Sequence, residues 1–191
     1  MVAKPKPSIA VSDARGVRSL HVGGEAIQSA MRLEDPFALE LDYTRCMMAF
    51  LLFHPQPRRA LMIGLGGGSL AKFFHRRLAG LRTHVVEYDE RVIATARALF
   101  HVPADDARLH VEHGDGVDAL APECCDLLVV DGYEDETTPA AMVSAASPRR
   151  RAIDCMMSVK WSEPATSCRM SRTASRCFRS CSSSRTLAWR R

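Results

Sequence analysis

The segment Ala60-Leu61-Met62-Ile63-Gly64-Leu65-Gly66-Gly67-Gly68-Ser69-Leu70 constrains the fold of this chain more than any other. Its apolar run predicts a buried strand, and the residues after the glycines predict a helix from about Ser69 to Leu78. The same alternation then continues. Residues 83–87 (THVVE) form a second expected strand and residues 89–100 a second helix. A third strand is expected over 108–112, a short helix over 115–120 and a fourth strand over 126–130. Strands separated by helical segments in this way predict βαβ units and a parallel sheet, so the expected class is α/β.

Upstream, Val17, Leu20 and Val22 alternate towards Gly23-Gly24, and Ala26, Ile27 and Gln28 follow, a pattern that predicts a β-hairpin. Asp35-Pro36 is a plausible helix start, and Phe37, Leu41, Met48, Leu51 and Leu52 carry the helix to about Phe53. His54-Pro55-Gln56-Pro57 ends it, because proline cannot continue a helix and restricts the residue before it.

Beyond Ala146 the pattern changes. The formal net charge of +4 conceals a split. Residues 147–191 hold ten Arg and one Lys against Asp154 and Glu163, a balance of +9 that leaves residues 1–146 at −5. The last glycine is Gly132, and no run in the tail suggests a buried strand, so the C-terminal part of the sheet is expected to be missing. Three segments result: residues 1–56 as hairpin and helix, 57–146 as a nucleoside-binding domain, and 147–191 as a basic Ser/Arg/Cys-rich tail, disordered or out of frame. A frameshift near residues 144–150 would explain the shift to Arg, Ser and Cys.

A basic tail can also be a nucleic-acid arm. Here it has only Trp161, Phe178 and Trp189 for stacking and no recognisable module, so no nucleic-acid partner is expected. There is no apolar stretch long enough to span a membrane and no apolar core in the N-terminal region, which implies a cytoplasmic protein without a membrane partner. Cys177-x-x-x-Cys181 has loosely zinc-like spacing but no second pair beside it, and the histidines His54, His75, His84, His101, His110 and His113 show no ligand spacing, so no metal is expected.

The glycine loop carries the chemistry. Gly64, Gly66 and Gly68 would let backbone amides approach a ligand at a helix N-terminus, although a tight turn without ligand would use the same residues. Glu87 ends the second strand, where an acid can accept hydrogen bonds from ribose hydroxyls. Asp115 ends the third and can reach an adenine amino group, cap the following turn, or do both. These acids favour an adenosine ligand without pyrophosphate, either S-adenosylmethionine or its decarboxylated form. Asp131, Glu134, Asp135 and Glu136 gather negative charge after the fourth strand, suited to a cationic substrate or a sulfonium. A solvated acidic loop is the plainer reading of residues 134–136.

From Gly16 to Val143 the sequence resembles the spermidine synthases, or polyamine aminopropyltransferases. The likeness rests on the hairpin with Ile27-Gln28, the helix bearing Tyr43, His54-Pro55-Gln56-Pro57-Arg58-Arg59, ALMIGLGGGSL, VVEYDERVI, HGDG and LLVVDGYED. The resemblance implies a Rossmann-like, S-adenosylmethionine-dependent transferase fold with a small N-terminal β-hairpin region. It implies aminopropyl transfer from decarboxylated S-adenosylmethionine to a polyamine such as putrescine, in a homodimer or homotetramer. By the same resemblance Glu87 would hold the ribose and Asp115 the adenine. Asp131 would be the catalytic acid/base and Tyr43 its aid. Gln28 would lie near the aminopropyl group, with Glu134 and Asp135 on the amine substrate. Two positions depart from the family. Gly67 stands where the family has the Asp that anchors the donor amine, so impaired activity is expected. The acceptor loop reads Asp-Gly-Tyr-Glu without a following Pro. An S-adenosylmethionine-dependent methyltransferase, or a non-catalytic nucleoside-binding paralogue, would use the glycine loop, Glu87 and Asp115 equally well.

Overall fold

Short alternating segments at the N-terminus fold into an antiparallel sheet of three strands, β1 (Ile9–Ala14), β2 (Val17–Val22) and β3 (Ile27–Arg32). The computed structural model describes residues 7–120, 125–131, 155–160 and 169–172. The expected hairpin is β2–β3, and β1 adds a strand to it. β1 pairs with β2 from Ile9↔Val22 to Ala14↔Val17 around Arg15-Gly16, whose φ angles are 51° and 77°. A two-residue turn with both φ values positive follows the natural twist of paired strands.

The second sheet has the order β6-β5-β4-β7-β8-β9. Its strands are β4 (Arg59–Ile63), β5 (Arg82–Glu87), β6 (Leu109–His113), β7 (Leu127–Val130), β8 (Cys155–Lys160) and β9 (Arg169–Arg172). All neighbouring pairs are parallel except β8–β9. Helices α2 (Ser69–Arg77) and α3 (Glu90–Leu99) link the first parallel strands. Alternate residues along each strand feed two apolar layers, as strand geometry requires. Ala60, Met62, Val85, Val111 and Val129 pack with Leu70, Ala71 and Phe74 of α2. Leu61, Ile63, Val86, Leu128 and Val130 form the opposite layer with Leu120 and Cys125. The N-terminal sheet is fastened to this Rossmann-like unit by Leu20 and Met31, which cluster with Val92 and Phe100. No helix among the described residues is long and apolar enough to cross a membrane.

The structure corrects three expectations. The helix expected from Pro36 begins only at Asp42: α1 spans Asp42–Met47 and tightens into a 3-10 turn over Met48–Leu52. Asp35 accepts the Phe37 and Ala38 amides in a local turn, while the Arg45 guanidinium takes the Leu39 and Glu40 carbonyls. Those carbonyls are thereby occupied by a side chain instead of helical amides. The expected helix at 115–120 is a set of turns, in which the Asp118 and Ala119 amides both donate to the Asp115 carbonyl. Finally, the sheet does not stop at four strands, because β8 and β9 lie within the segment expected to be strandless. The missed signal was Cys155-Met156-Met157-Ser158-Val159, an apolar run with little β-branching. A strand ladder pairs main chain with main chain, so it does not depend on such residues.

Lys72 of α2 is fully buried, and its Nζ donates to the Phe100 carbonyl at 2.7 Å. Phe100 is the C-cap of α3, so a cation meets the negative end of that helix. Burial lowers the ammonium's pKa from 10.5 to about 8. A folded-state pKa below the unfolded one means that the unfolded chain binds more protons between these values, so stability rises with pH across that window. Equilibrium denaturation of the parent and Lys72→Met should therefore diverge between about pH 8 and pH 10.5, the parent gaining relative stability. A stability difference independent of pH across that range would contradict this account.

Candidate active site

The chain leaves β4, builds β5 and β6 on one side, and returns to place β7 on the other. In open α/β sheets the reversal between such strands opens a crevice at their carboxyl ends. Gly64 follows β4 and Asp131 follows β7, and the Asp131 amide donates to the Ile63 carbonyl at 2.8 Å. Chain order alone thus sets the glycine loop beside the acid.

The loop is braced from inside. The Gly64 amide donates to the Val86 carbonyl at 2.9 Å and the Gly68 amide to the Leu65 carbonyl at 2.8 Å. Gly68 caps α2 at φ 70°, and a Cβ there would lie 2.3 Å from Val102 Cγ2, so both conformation and space require glycine. Glu87 holds the loop from β5: its Oε2 accepts the Leu65 amide at 2.8 Å and its Oε1 the Asp89 amide at 3.0 Å. A carboxylate oxygen has more than one acceptor site, so these bonds orient Glu87 and leave it capacity to accept ligand hydroxyls. Asp115 is exposed at the end of β6, and its Oδ1 accepts the Val117 amide at 2.8 Å. Its turn-capping role is therefore observed.

Asp131 is half-buried at the site. The Tyr43 hydroxyl, from the first turn of α1, donates to Asp131 Oδ2 at 3.4 Å. Asp131 Oδ1 is itself buried and has no hydrogen-bond partner among the described residues. Burial raises the Asp131 pKa from 3.8 to about 7, the Tyr43 hydrogen bond opposes the rise, and the nearby Glu87 charge adds to it. An orphaned buried acceptor carries a desolvation cost, which a proton or a donating ligand would relieve. The arrangement is that of a carboxylate able to take a proton near neutral pH.

Of the residues expected at the site, the structure brings together Gly64, Gly66, Gly68, Glu87, Tyr43 and Asp131. Gln28 lies half-buried on β3. Glu134 and Asp135 lie outside the described residues. Sequence reasoning missed Ser29, which places β3 over the loop. Ser29 Oγ lies 3.3 Å from Ser69 Oγ, and Ser69 Oγ donates to the Ala30 carbonyl at 3.3 Å. At Gly67 an added Cβ would stand 2.9 Å from both Ser29 Oγ and Phe100 Cδ1. Gly67 is thus closely covered by neighbouring residues. No local pattern marked Ser29, since its importance comes from a contact 40 residues along the chain.

No protein-family model matches the chain. The polyamine aminopropyltransferase of Chromobacterium violaceum is 40% identical over 130 residues, covering 67% of this chain and 50% of that protein. The eEF1A lysine and N-terminal methyltransferase of Xenopus laevis is 31% identical over 136 residues, covering 61% of this chain and 19% of that protein. A probable spermidine synthase from Corynebacterium glutamicum superposes with a TM-score of 0.69 at 20% identity, over 81% of this chain and 61% of that one. A spermidine synthase in complex with the transition-state analogue AdoDATO superposes with a TM-score of 0.62 at 17% identity, over 82% and 55% of the two chains. The chain spans about half the length of the aminopropyltransferases that it matches. Over the stretch that they share, it belongs to the spermidine synthase-like family.

Proposed function

We propose that the site transfers an aminopropyl group from decarboxylated S-adenosylmethionine to a polyamine such as putrescine. The observation that carries this reading is Asp131, a half-buried carboxylate with a neighbouring tyrosine and one buried oxygen that has no partner among the described residues, beside a glycine loop braced by Glu87. In the proposed reaction the acceptor nitrogen attacks the aminopropyl carbon next to the sulfonium. The carbon–sulfur bond breaks and methylthioadenosine leaves. The proton on the new secondary amine passes to Asp131, with Tyr43 keeping that carboxylate oriented. Glu87 and the glycine loop would hold the ribose, Asp115 the adenine, and Gln28 would lie near the aminopropyl chain. Glu134 and Asp135 would meet the acceptor's positive charge. Bringing two cations together in a desolvated crevice requires compensating carboxylates, which fits the acids at this sheet edge.

A second reading, methyl transfer from S-adenosylmethionine, has one observation in its favour. A side chain at Gly67, where the donor-amine anchor would stand, would press on Ser29 and Phe100, and one of them would have to shift. Aminopropyl transfer remains the main reading, because relatives at 36–40% identity carry that name.

Calorimetry with decarboxylated S-adenosylmethionine, S-adenosylmethionine and methylthioadenosine should show heat with the nucleosides and tighter binding of the decarboxylated donor. Silence with all three would remove the adenosine site, and preference for S-adenosylmethionine would favour methyl transfer. Asp131→Asn should lower turnover by about 10²–10⁴-fold while nucleoside binding stays within a few-fold. In the parent, activity should rise with pH through about 7 as Asp131 loses its proton. Because its folded pKa lies above the unfolded one, its stabilising contribution is complete below about pH 4 and lost as pH rises through about 7. Asp131→Asn should therefore denature no more easily than the parent at pH 8.

Gly67→Asp offers a separate check. It should cost roughly 1–3 kcal/mol of stability through overpacking against Phe100 and Ser29, and leave donor affinity unimproved. A stable Gly67→Asp protein with at least tenfold tighter donor binding would show that this space is open.

A further inference from the structure

His84 and His110 lie 26 positions apart in sequence, yet they are direct register partners on the parallel strands β5 and β6. Their rings are 5.2 Å apart at 35°. Glu112, two residues further along β6, lies on the same face, and its Oε2 is 2.8 Å from His84 Nε2. One ligand atom from each of the three residues falls within 4.8 Å of the others. The side chains of His84, His110 and Glu112 are 41%, 61% and 53% exposed, so an ion has access from solvent. These residues occupy the bodies of β5 and β6, away from the carboxyl-end crevice that holds Asp131.

We propose that His84, His110 and Glu112 form a binding site for a borderline divalent cation of the zinc class. Two imidazoles and a carboxylate suit Zn²⁺, Co²⁺ or Ni²⁺ better than Mg²⁺ or Ca²⁺, which favour sets composed of oxygen. Small rotations of exposed side chains would bring each ligand atom to about 2.0–2.2 Å from one ion, with water completing a tetrahedral shell. His110 already has an outer partner: its Nδ1 lies 3.3 Å from Asp105 Oδ2. A carboxylate in that position fixes the ring and leaves Nε2 as the ligand atom, an arrangement typical of metal-bound histidine. Asp105 is itself held by the Arg97 guanidinium at 2.7 Å and by the Val111 amide at 3.1 Å. The ion would tie the edge strand β6 to β5. Sequence spacing gave no hint of this site, because its ligands come from two strands joined by a helix.

The test is a calorimetric titration of the metal-free full chain with Zn²⁺, beside His84→Asn/His110→Asn and, separately, Glu112→Gln. Circular dichroism should confirm that these exposed substitutions leave the fold intact. We expect the parent to bind one ion at this site and the double variant to bind it at least ~10-fold more weakly, since loss of an outer partner alone costs about 10–100-fold. With Co²⁺ the parent should show visible ligand-field bands that the double variant loses. Absence of Zn²⁺ binding by the parent, or equal binding by parent and double variant, would overturn the proposal. So would a Co²⁺ spectrum dominated by thiolate charge transfer and unchanged in the double variant, because the ion would then sit on cysteines. If the double variant unfolds, Glu112→Gln decides the matter: unchanged affinity overturns the site and weakened affinity supports it.

Discussion

A single backbone hydrogen bond, from the Asp131 amide to the Ile63 carbonyl at 2.8 Å, closes the seam on which the active-site arrangement depends. It continues the β4–β7 ladder one step past Ile63↔Val130, where the two strands give way to their loops. Buried main-chain groups must be paired, so the ladder fixes the relative height of the strands to within a residue. That height places Asp131 beside the glycine loop rather than above or below it. The N-terminal sheet then leans on the loop through Ser29 and Ser69, and α1 delivers Tyr43 to the same carboxylate.

Two acids at this edge have been given different environments. Glu87 receives two backbone amides and serves as a brace for the loop. Asp131 receives one long tyrosine bond, keeps one oxygen without a partner among the described residues, and is pushed by burial to a pKa of about 7. Pairs of carboxylates separated in this way allow one to stay charged and structural while the other exchanges protons. Lys72 is a fully buried charge, positioned by the carbonyl end of α3 rather than by a carboxylate. Its bond links the helix that follows the glycine loop to the residue that crowds Gly67, so loop geometry and α3 are mechanically joined.

Much of this was legible in the chain. The apolar runs around residues 60–63, 83–87 and 126–130 pointed to strands because they are short and bounded by turn signals, too short for a helix of ordinary length. Glu87, Asp115 and Asp131 could be picked out because each ends a strand, and strand ends face the crevice in a parallel sheet. Other features were not legible. The late start of α1 depends on Arg45 reaching back to the Leu39 and Glu40 carbonyls, a competition that periodicity does not record. The strands β8 and β9 draw on main-chain pairing, which a basic and glycine-free composition obscures.

The sequence by itself determined the parallel α/β unit, the glycine turn and the identity of the acids that end its strands. These follow from local periodicity and from conformations that only certain residues adopt. Only the tertiary structure decided how those acids differ, that Gly67 is crowded by Ser29 and Phe100, and that His84 and His110 stand side by side. Those properties arise where segments far apart in the chain meet: burial sets the Asp131 proton affinity, Ser29 and Phe100 close over the loop, and strand register pairs the histidines. Distance along the chain carries no information about such meetings, because parallel pairing joins residues across a whole intervening helix.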